Sequence, residues 1–266
     1  MRRRLLMQTF VTLLLCLAAG QTASAQDFQK SYQIGPNGSI RIENVSGNVN
    51  IAGYDGSAVT VAAFKEGEDR DKVEVEDLSS GDRVHLRADY PRNCRRCNAS
   101  LRFEVRVPRG SNLNFDKINT ASGDINATDV SGNLDFNTAS GNITLRNVSG
   151  EIEVATASGQ LKVMNAAGSV KASSASGDVE VEITRLEGTR DLRFSSASGN
   201  VRVRLPSDLD ARVSLATASG SIDTDFPLEV KREEYGSGST ARGQLGGGSR
   251  SLRISTASGD VSLKSL

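Results

Sequence analysis

NTASGDINATDVSGNLDF, residues 119–136, contains the same kind of turn twice: a Ser-Gly pair followed by Asp or Asn. From residue 123 to residue 177 a turn glycine recurs at every ninth position. Turns of the Thr/Ser-Ala-Ser-Gly kind end at Gly123, Gly141, Gly159 and Gly177, and the turns between them, which read Val-Ser-Gly or Ala-Gly, end at Gly132, Gly150 and Gly168. The repeating unit is therefore eighteen residues long and consists of two halves.

The residues between the turns alternate between apolar and polar types. Leu134, Phe136 and Thr138, for example, alternate with Asn133 and Asp135. A period of two predicts short strands that bury one face. After residue 25 the sequence contains no 3.6-residue pattern long enough for a helix, so it predicts an all-β protein.

Two architectures accommodate a strand and a turn in nine residues: an antiparallel meander, and a parallel solenoid with two strands per coil. In a meander, like turns on one edge lie roughly 9 to 10 Å apart, too far for like residues to stack. In a solenoid they lie about 4.8 Å apart, so the near-identity of Thr120, Thr138 and Thr156 becomes useful. A solenoid also closes its own core without a helix. The sequence predicts a two-faced parallel β-solenoid, right-handed by the usual crossover preference.

The pattern divides the chain into three segments: a signal peptide (residues 1–25), an N-terminal β region (26–118) and the solenoid repeats (119–266). The sequence of residues 40–53, IRIENVSGNVNIAG, lines up with residues 143–156, ITLRNVSGEIEVAT, so a first coil is expected before the main array. Longer alternating stretches follow at about 58–64, 73–76, 83–89 and 101–107. These strands are expected to cap one end of the solenoid, because an exposed strand edge invites polymerisation.

Beyond residue 177 the repeat loosens. The same turn returns at Gly199, Gly220 and Gly259, after intervals of 22, 21 and 39 residues, so the extra residues are expected to form loops. The longest, at about 226–250, contains Gly-Ser-Gly-Ser and Gly-Gly-Gly and is predicted to be a mobile excursion. Deleting residues 233–248 is accordingly expected to preserve the β structure and much of the stability, while weakening partner binding.

The start of the chain is typical of a secretory signal peptide. A basic stretch (residues 2–4) precedes an apolar run (11–19) and the small-residue sequence Ala23-Ser24-Ala25, which predicts cleavage before Gln26. Removal of this segment takes three arginines from the 32 basic residues, which leaves 29 against 32 acidic ones. This balance does not favour nucleic acid or an anionic membrane as partner. An exported protein is expected, located in the periplasm, on the outer surface or in the medium, with no membrane span.

Three stretches carry a resemblance to a known family: SIRIENVSGNVNIAGYDGSAVTVAA (39–63), VRVPRGSNLNFDKINTASGDI (105–125) and the serial Thr-Ala-Ser-Gly-Asp/Asn-Ile/Val turns. With these motifs the chain resembles the bacterial putative adhesin β-solenoid family, domains of unknown function in exported and envelope proteins. The resemblance covers nearly all of the chain after residue 25. It implies a parallel β-solenoid in the cell envelope, and it implies no reaction and no catalytic residues.

Cys94 and Cys97, in PRNCRRCNAS, remain after export and lie between two predicted antiparallel strands. An oxidising compartment favours a local disulfide that tightens this tip, and exchange of both for Ser is expected to cost little. A redox pair is the alternative, since Arg95 and Arg96 would favour the thiolate, although the usual helix N-terminus is missing. Zinc would need about four ligands, which two cysteines and a distant His85 do not supply.

His85 lies in the alternating strand RVHLRADY, which predicts a solvated strand face. A Ser-His-Asp triad would have to use this histidine, and no nucleophile-elbow sequence is present. The residue after the turn glycine is often acidic or amide, as in calcium-binding rolls, but Gln160 and Ser221 also occupy it. Asp and Asn favour turns in any case. The sequence therefore predicts no catalytic, cofactor or metal residues, and gives structural roles to the turn glycines.

These observations favour a non-enzymatic exported β-solenoid that presents a binding or adhesion surface. The expected partner is an unidentified envelope or surface protein or glycan, and homo-oligomers are possible. The alternatives are a self-assembling structural element of the envelope and, with less support, a carbohydrate-active enzyme. Recognition is expected on the loops at 90–100 and 226–250 or on a broad polar face that contains Asp135, Glu151, Glu153, Lys162, Lys171, Glu180 and Glu182.

Overall fold

The computed structural model describes residues 27–92, 94, 97–232 and 237–266, and the predicted signal peptide lies outside them. The described residues form 21 strands and a short 3-10 helix, Arg70–Lys72. In chain order the strands are β1 (Phe28–Tyr32), β2 (Ser39–Glu43), β3 (Val49–Tyr54), β4 (Val59–Glu66), β5 (Glu74–Asp77), β6 (Arg83–Asp89), β7 (Ser100–Pro108), β8 (Asn112–Ser122), β9 (Ile125–Thr128), β10 (Ser131–Ser140), β11 (Ile143–Ser158), β12 (Leu161–Ser176), β13 (Val179–Arg185), β14 (Leu192–Ser198), β15 (Val201–Leu205), β16 (Ala211–Ser219), β17 (Ile222–Thr224), β18 (Glu229–Arg232), β19 (Ser239–Leu245), β20 (Arg250–Ser258) and β21 (Val261–Ser265).

The central strands pair in parallel with a shift of one eighteen-residue repeat. Gly132 of β10 pairs with Gly150 of β11, and Gly150 pairs with Gly168 of β12. Like residues therefore occupy neighbouring rungs, as the solenoid prediction requires and a meander does not allow. The predicted all-β parallel solenoid is confirmed.

Each coil contributes one strand, or half of a long strand, to each of two faces. Face 1 contains, in spatial order, β5, β6, β2, β8, β10, residues 149–158 of β11, residues 169–176 of β12, β14, β20, β16, β19 and β18. Face 2 contains β1, β4, β7, β3, β9, residues 143–146 of β11, residues 161–166 of β12, β13, β15, β21 and β17.

The order of the coils in space differs from their order in the chain at both ends. The coil of β2 and β3 lies between that of β6 and β7 and that of β8 and β9. Likewise, the coil of β20 and β21 lies between that of β14 and β15 and that of β16 and β17. The first and the last coil of the described sequence are thus each one position inside the end of the solenoid.

The alternating apolar residues of both faces form one continuous core. Its largest fully buried side chains include Phe103, Phe115, Phe136 and Phe194. Phe115 and Phe136 of neighbouring rungs pack edge to face, with ring centroids 5.9 Å apart, a favourable geometry for an aromatic pair. Phe136 and Phe194 occupy apolar positions of the alternating pattern, which predicts the burial that the structure shows.

Antiparallel strands cover the ends of the parallel array. At one end β4 pairs with β7, β1 pairs with β4, and β5 pairs with β6. At the other end β19 pairs with β16, and β18 pairs with β19. The predicted mobile excursion at 226–250 is therefore wrong in its main part: β18 and β19 form a hairpin there, because the open edge of β16 supplies backbone partners and Ala241 and Leu245 are buried against the core.

Candidate functional site

The predicted turn glycines line one edge of the solenoid. Six of the seven have φ between 141° and 155°, and Gly141 lies outside this region. What the glycines share is close approach: a Cβ on Gly141 would lie 2.0 Å from the carbonyl oxygen of Gly123, and a Cβ on Gly159 would lie 1.9 Å from that of Gly141. The glycines therefore permit backbone contact between successive coils.

The polar residues of the same turns bond to the neighbouring coil. The Thr156 hydroxyl donates to the carbonyl oxygen of Gly141 at 3.1 Å. The Asn142 side-chain oxygen accepts from the backbone N–H of Gln160 at 2.9 Å, and that of Asp124 accepts from the N–H of Asn142 at 2.8 Å. Among the described residues no group of three or more His, Cys, Asp or Glu side chains is arranged to hold a metal ion. This edge is structural.

Cys94 and Cys97 form a disulfide in the connection between β6 and β7, with their Cα atoms 5.1 Å apart. The prediction that these two strands are an antiparallel pair is wrong, because the connection leads from one face of the coil to the other: β6 pairs with β2 and β5 on face 1, and β7 with β3 and β4 on face 2. Cys97 is partly buried against the core near the capped end. Arg95 and Arg96, which the redox alternative needs, lie outside the described residues. The small cost of exchanging both cysteines for Ser stays a prediction.

His85 lies on face 1, but its side chain is only 15% exposed and its Nε2 is 3.7 Å from Glu43 Oε1. The prediction that it is solvated is wrong in this respect, because neighbouring rungs cover the ring. Burial lowers the pKa of His85, Glu43 opposes this, and the nearby Arg83 contributes to the lowering. Among the described residues Nε2 has no hydrogen-bond partner.

The structure divides the predicted polar face in two. Lys162, Glu180 and Glu182 lie on face 2, whereas the other four residues lie on face 1. On face 2 opposite charges stand side by side on neighbouring strands or at their ends: Lys162–Glu180 at 3.0 Å, Arg202–Asp178 at 3.0 Å, Arg204–Glu182 at 3.5 Å and Lys264–Asp225 at 2.9 Å. Burial raises the pKa of Asp178, but hydrogen bonds from Asn200 and Arg202 outweigh it and hold the pKa below its usual range. The charges on this part of face 2, from β12 to β21, therefore neutralise one another.

Face 1 separates its charges instead. Six adjacent strands each contribute one outward charged residue near one line, which we call the charged column: Asp116, Asp135, Glu153, Lys171, Arg193 and Arg253. Asp116 belongs to it through a bulge in β8 that interrupts the register beside Asp135. The first three residues are acidic and the last three are basic.

At the centre of the charged column Glu153 and Lys171 lie 3.7 Å apart. On the basic side Arg193 and Arg253 are exposed and occupy paired positions on neighbouring strands. Within the part of the chain that the structure describes, neither arginine forms an ion pair. Like charges directly opposite each other in a sheet are destabilising, so this arrangement costs stability in the isolated chain.

The connection between β13 and β14 lies against face 1. The 22-residue interval after Gly177 exceeds the regular repeat by four residues, and the extra length forms the segment 186–191, which we call the insertion. Arg190 of the insertion bonds to Glu151 on the sheet at 2.6 Å, and the Asp191 side chain accepts from the N–H of Ser251 at 2.9 Å. The insertion is thereby fixed against face 1.

Two grooves adjoin the insertion. The first, of about 590 Å³, is lined by residues 189–191 together with Asn114, Asp116, Asn133, Asp135, Glu151, Glu153 and Lys171. The second, of about 490 Å³, is lined by Glu153, Lys171, Arg193, Arg253, Ser173, Ser195 and Ser251 together with Asp191. Acidic residues predominate in the first groove and basic residues in the second, Glu153 and Lys171 line both, and together the grooves form the candidate site.

Sequence reasoning found four members of this surface but missed Asp116, Arg193 and Arg253. The alternation of the two turn types offered a signal within the regular repeats, because the strands after the turns at Gly132, Gly150 and Gly168 all belong to face 1. The signal does not extend to the first coil, where the Val-Ser-Gly turn at Gly47 precedes β3 on face 2. Arg253 could not be placed this way, since its strand follows the irregular interval of 39 residues. Its position beside Arg193 depends on the coil order.

Fold and surface together define a capped two-faced β-solenoid with a polar, grooved face. The chain belongs to the Toastrack DUF4097 family, which matches residues 29–264. This agrees with the family resemblance of the motifs, and the description assigns no reaction. No curated protein matches the sequence. Among the described residues, no helix has the length and apolar character needed to cross a membrane.

Solved structures show distant similarity. A "putative cell adhesion protein" from Clostridium sporogenes is 13% identical, with 90% of this chain and 99% of that chain covered and a TM-score of 0.31. A "putative adhesin" from Bacteroides fragilis is 13% identical, with 90% and 96% covered and a TM-score of 0.37. A "putative lipid binding protein" from Parabacteroides distasonis is 15% identical, with 90% and 96% covered and a TM-score of 0.45.

Proposed function

We propose that this protein is a non-enzymatic, exported binding protein of the bacterial envelope that holds its partner on face 1. The observation that carries the proposal is the contrast between the faces. Face 2 pairs its charges within the sheet. In the charged column of face 1, Asp116 is paired with Arg41 and Glu153 with Lys171, whereas Asp135, Arg193 and Arg253 form no ion pair among the described residues and the two arginines stand side by side. Complementary charges on a partner would offset this repulsion and set the orientation of binding.

The lining of the grooves supports binding rather than catalysis. Both grooves are open troughs on a sheet, and the charged column lies on outward strand positions, of which Asp116 and Asp135 are half-buried and the other four exposed. Sugar-processing sites use aromatic platforms, yet Phe115, the one aromatic residue among the described residues that line the two grooves, is 1% exposed. A rigid sheet with fixed charges suits recognition of a complementary surface.

Two further features support export. The first residues have the pattern of a signal peptide. The disulfide between Cys94 and Cys97 is of a kind that persists in oxidising compartments such as the periplasm. Together these features favour a location outside the cytoplasm.

The test compares two triple variants with the same change in net charge. One replaces Lys171, Arg193 and Arg253 of face 1 with Glu, and the control replaces Lys162, Arg202 and Arg204 of face 2 with Glu. The measurement is retention of the labelled, purified protein on envelope fractions of the producing bacterium. We expect the face 1 variant to lose about tenfold or more in retention, and the face 2 variant to stay within about twofold of the original. Equal losses, or no retention of the original protein, would contradict the proposal.

A further inference from the structure

The order of charges along the charged column is self-complementary. Read along the solenoid it is acidic three times and then basic three times, with the change of sign between Glu153 and Lys171. A two-fold axis in the plane of face 1, parallel to the strands and between these two residues, reverses the order of the rungs. It sets Glu153 opposite Lys171, Asp135 opposite Arg193, and Asp116 opposite Arg253 of a second copy.

From this symmetry we infer that face 1 binds a second copy of this chain, face to face and with the two solenoids antiparallel. The inference rests on the proposed function and names its partner. Each copy supplies three acidic and three basic residues, so the two-fold contact contains six complementary pairs. An interface in which the same patch is used by both copies is the usual form of a closed dimer.

A second copy explains both halves of the column, which a simple ligand does not. An anion would neutralise Lys171, Arg193 and Arg253, but it would leave Asp135 beside Glu153. A cation would do the reverse. Only an occupant that carries both signs in the reversed order offsets both repulsions, and the chain itself has this pattern.

The residues that flank the charged column allow close approach. The next outward position along the same strands holds Asn119, Asn137, Ala155, Ser173, Ser195 and Ser255. These side chains are short, and nearly all can donate and accept hydrogen bonds. The sheet is therefore not shielded from a second sheet by long side chains.

The matched stretch is limited in extent, so the contact is weak. It ends at Arg41 on one side and Ser214 on the other, which do not have opposite charges. Six strands about 4.8 Å apart and about five residues along each strand cover roughly 460 Å² on each copy. The total of roughly 900 Å² lies below that of stable complexes and within the range of transient ones. The overall binding strength of such a weak contact increases where many copies of the protein are displayed on one surface, because several contacts then form at the same time.

The experiment uses protein purified after export of the full-length chain and two column variants. The acidic-column variant is Lys171→Glu with Arg193→Glu and Arg253→Glu, and the basic-column variant is Asp116→Lys with Asp135→Lys and Glu153→Lys. Sedimentation velocity is measured over a concentration series, for each protein alone and for the two variants mixed. Circular dichroism and cooperative thermal unfolding show that each variant is folded, and the face 2 variant serves as the charge-matched control.

We expect the original protein and the face 2 variant to dimerise reversibly, with a dissociation constant that rises at least about tenfold between low and high salt. Each column variant alone is expected to be monomeric, since its six column charges have one sign. The mixture is expected to form heterodimers, because the two columns are then opposite at all six positions. Recovery of dimers in the mixture is the result that a merely structural effect of the substitutions would not produce.

Two results would overturn the inference. One is an original protein that stays monomeric at high concentration and low salt. The other is a folded pair of column variants whose mixture stays monomeric. If, in either case, retention on envelopes still depends on Lys171, Arg193 and Arg253, the proposed function stands and its partner is another molecule. Retention on envelopes from cells that lack this protein would lead to the same conclusion.

Discussion

At the scale of single residues, the Thr-Ala-Ser-Gly-Asp/Asn turn is a set of contacts to the neighbouring coil. The threonine hydroxyl is buried and donates to a glycine carbonyl one coil away, as Thr156 does to Gly141. The glycine lacks a side chain where the backbones meet, and the Asp or Asn that follows accepts an N–H of the next coil. Each residue type therefore recurs because its chemistry is used again at every rung.

The first prediction compares neighbouring residues of one turn. Gly141→Val is expected to lower the free energy of unfolding by about 3 kcal/mol, because a Cβ 2.0 Å from the Gly123 carbonyl oxygen forces the backbones apart. Asn142→Ala is expected to cost about 1 kcal/mol, because it removes the acceptor of the Gln160 N–H. Denaturant unfolding of both variants measures the difference. If the alanine variant were the less stable of the two, close coil contact would not be the role of this glycine.

At the scale of elements, the hairpin of β18 and β19 protects an edge. β19 pairs along β16 from Ala211 to Thr217, and its Ser239, Ala241 and Leu245 are buried. β18 in turn covers β19 with four exposed residues that include Lys231. Charged, short outer strands of this kind discourage further pairing. Because this segment is rich in Gly and Ser, its sequence predicted a loop and not a hairpin with a structural role.

The second prediction concerns removal of this hairpin. Deleting residues 228–245 is expected to lower the free energy of unfolding by at least about 2 kcal/mol, because Leu245 and Ala241 no longer cover the core. It is also expected to cause aggregation through the bare edge of β16. The control deletes residues 187–190 of the insertion, which restores the regular eighteen-residue spacing and should leave the protein soluble and folded. Thermal unfolding and light scattering measure both effects, and an equally soluble hairpin deletion would show that β16 needs no cover.

At the scale of the whole molecule, the last coil of the chain lies inside the solenoid and not at its end. The last two strands, β20 and β21, pair on one side with β14 and β15 and on the other with β16 and β17. An ordinary solenoid loses one end when its last repeat is removed, since each repeat contacts only its neighbours. Here removal of the last coil takes away an inner rung and separates the outer coil from the rest.

The third prediction follows from this order. A chain that ends at Gly248 lacks β20 and β21, so residues 206–248 lose the strands on which they pack. Hydrogen exchange is expected to show loss of protection in β16 and β19 as well as exposure of β14, while β10, β11 and β12 remain protected. A truncated protein that is simply one coil shorter, with β16 protected, would show that the outer coil can pack directly on β14.

The amino-acid sequence is enough to predict the properties that repeat locally. The eighteen-residue period, the alternation of apolar residues and the turn glycines predict parallel strands and an inward-facing core, because these features depend on residues within one coil or one coil away. The sequence also shows the four extra residues between β13 and β14 that lead to the insertion, and the alternation predicts an outward position for four of the charged residues of face 1.

Tertiary structure alone decided the order of the end coils, the hairpin in place of a loop, and the position of Arg253 beside Arg193. The physical reason is that strands with the same alternation and the same turns are nearly equivalent as pairing partners, so the local pattern does not specify which coil lies beside which. That choice depends on burying the edge strands and on the lengths of the connections, both of which are properties of the complete fold. The charge order of the charged column follows from the choice.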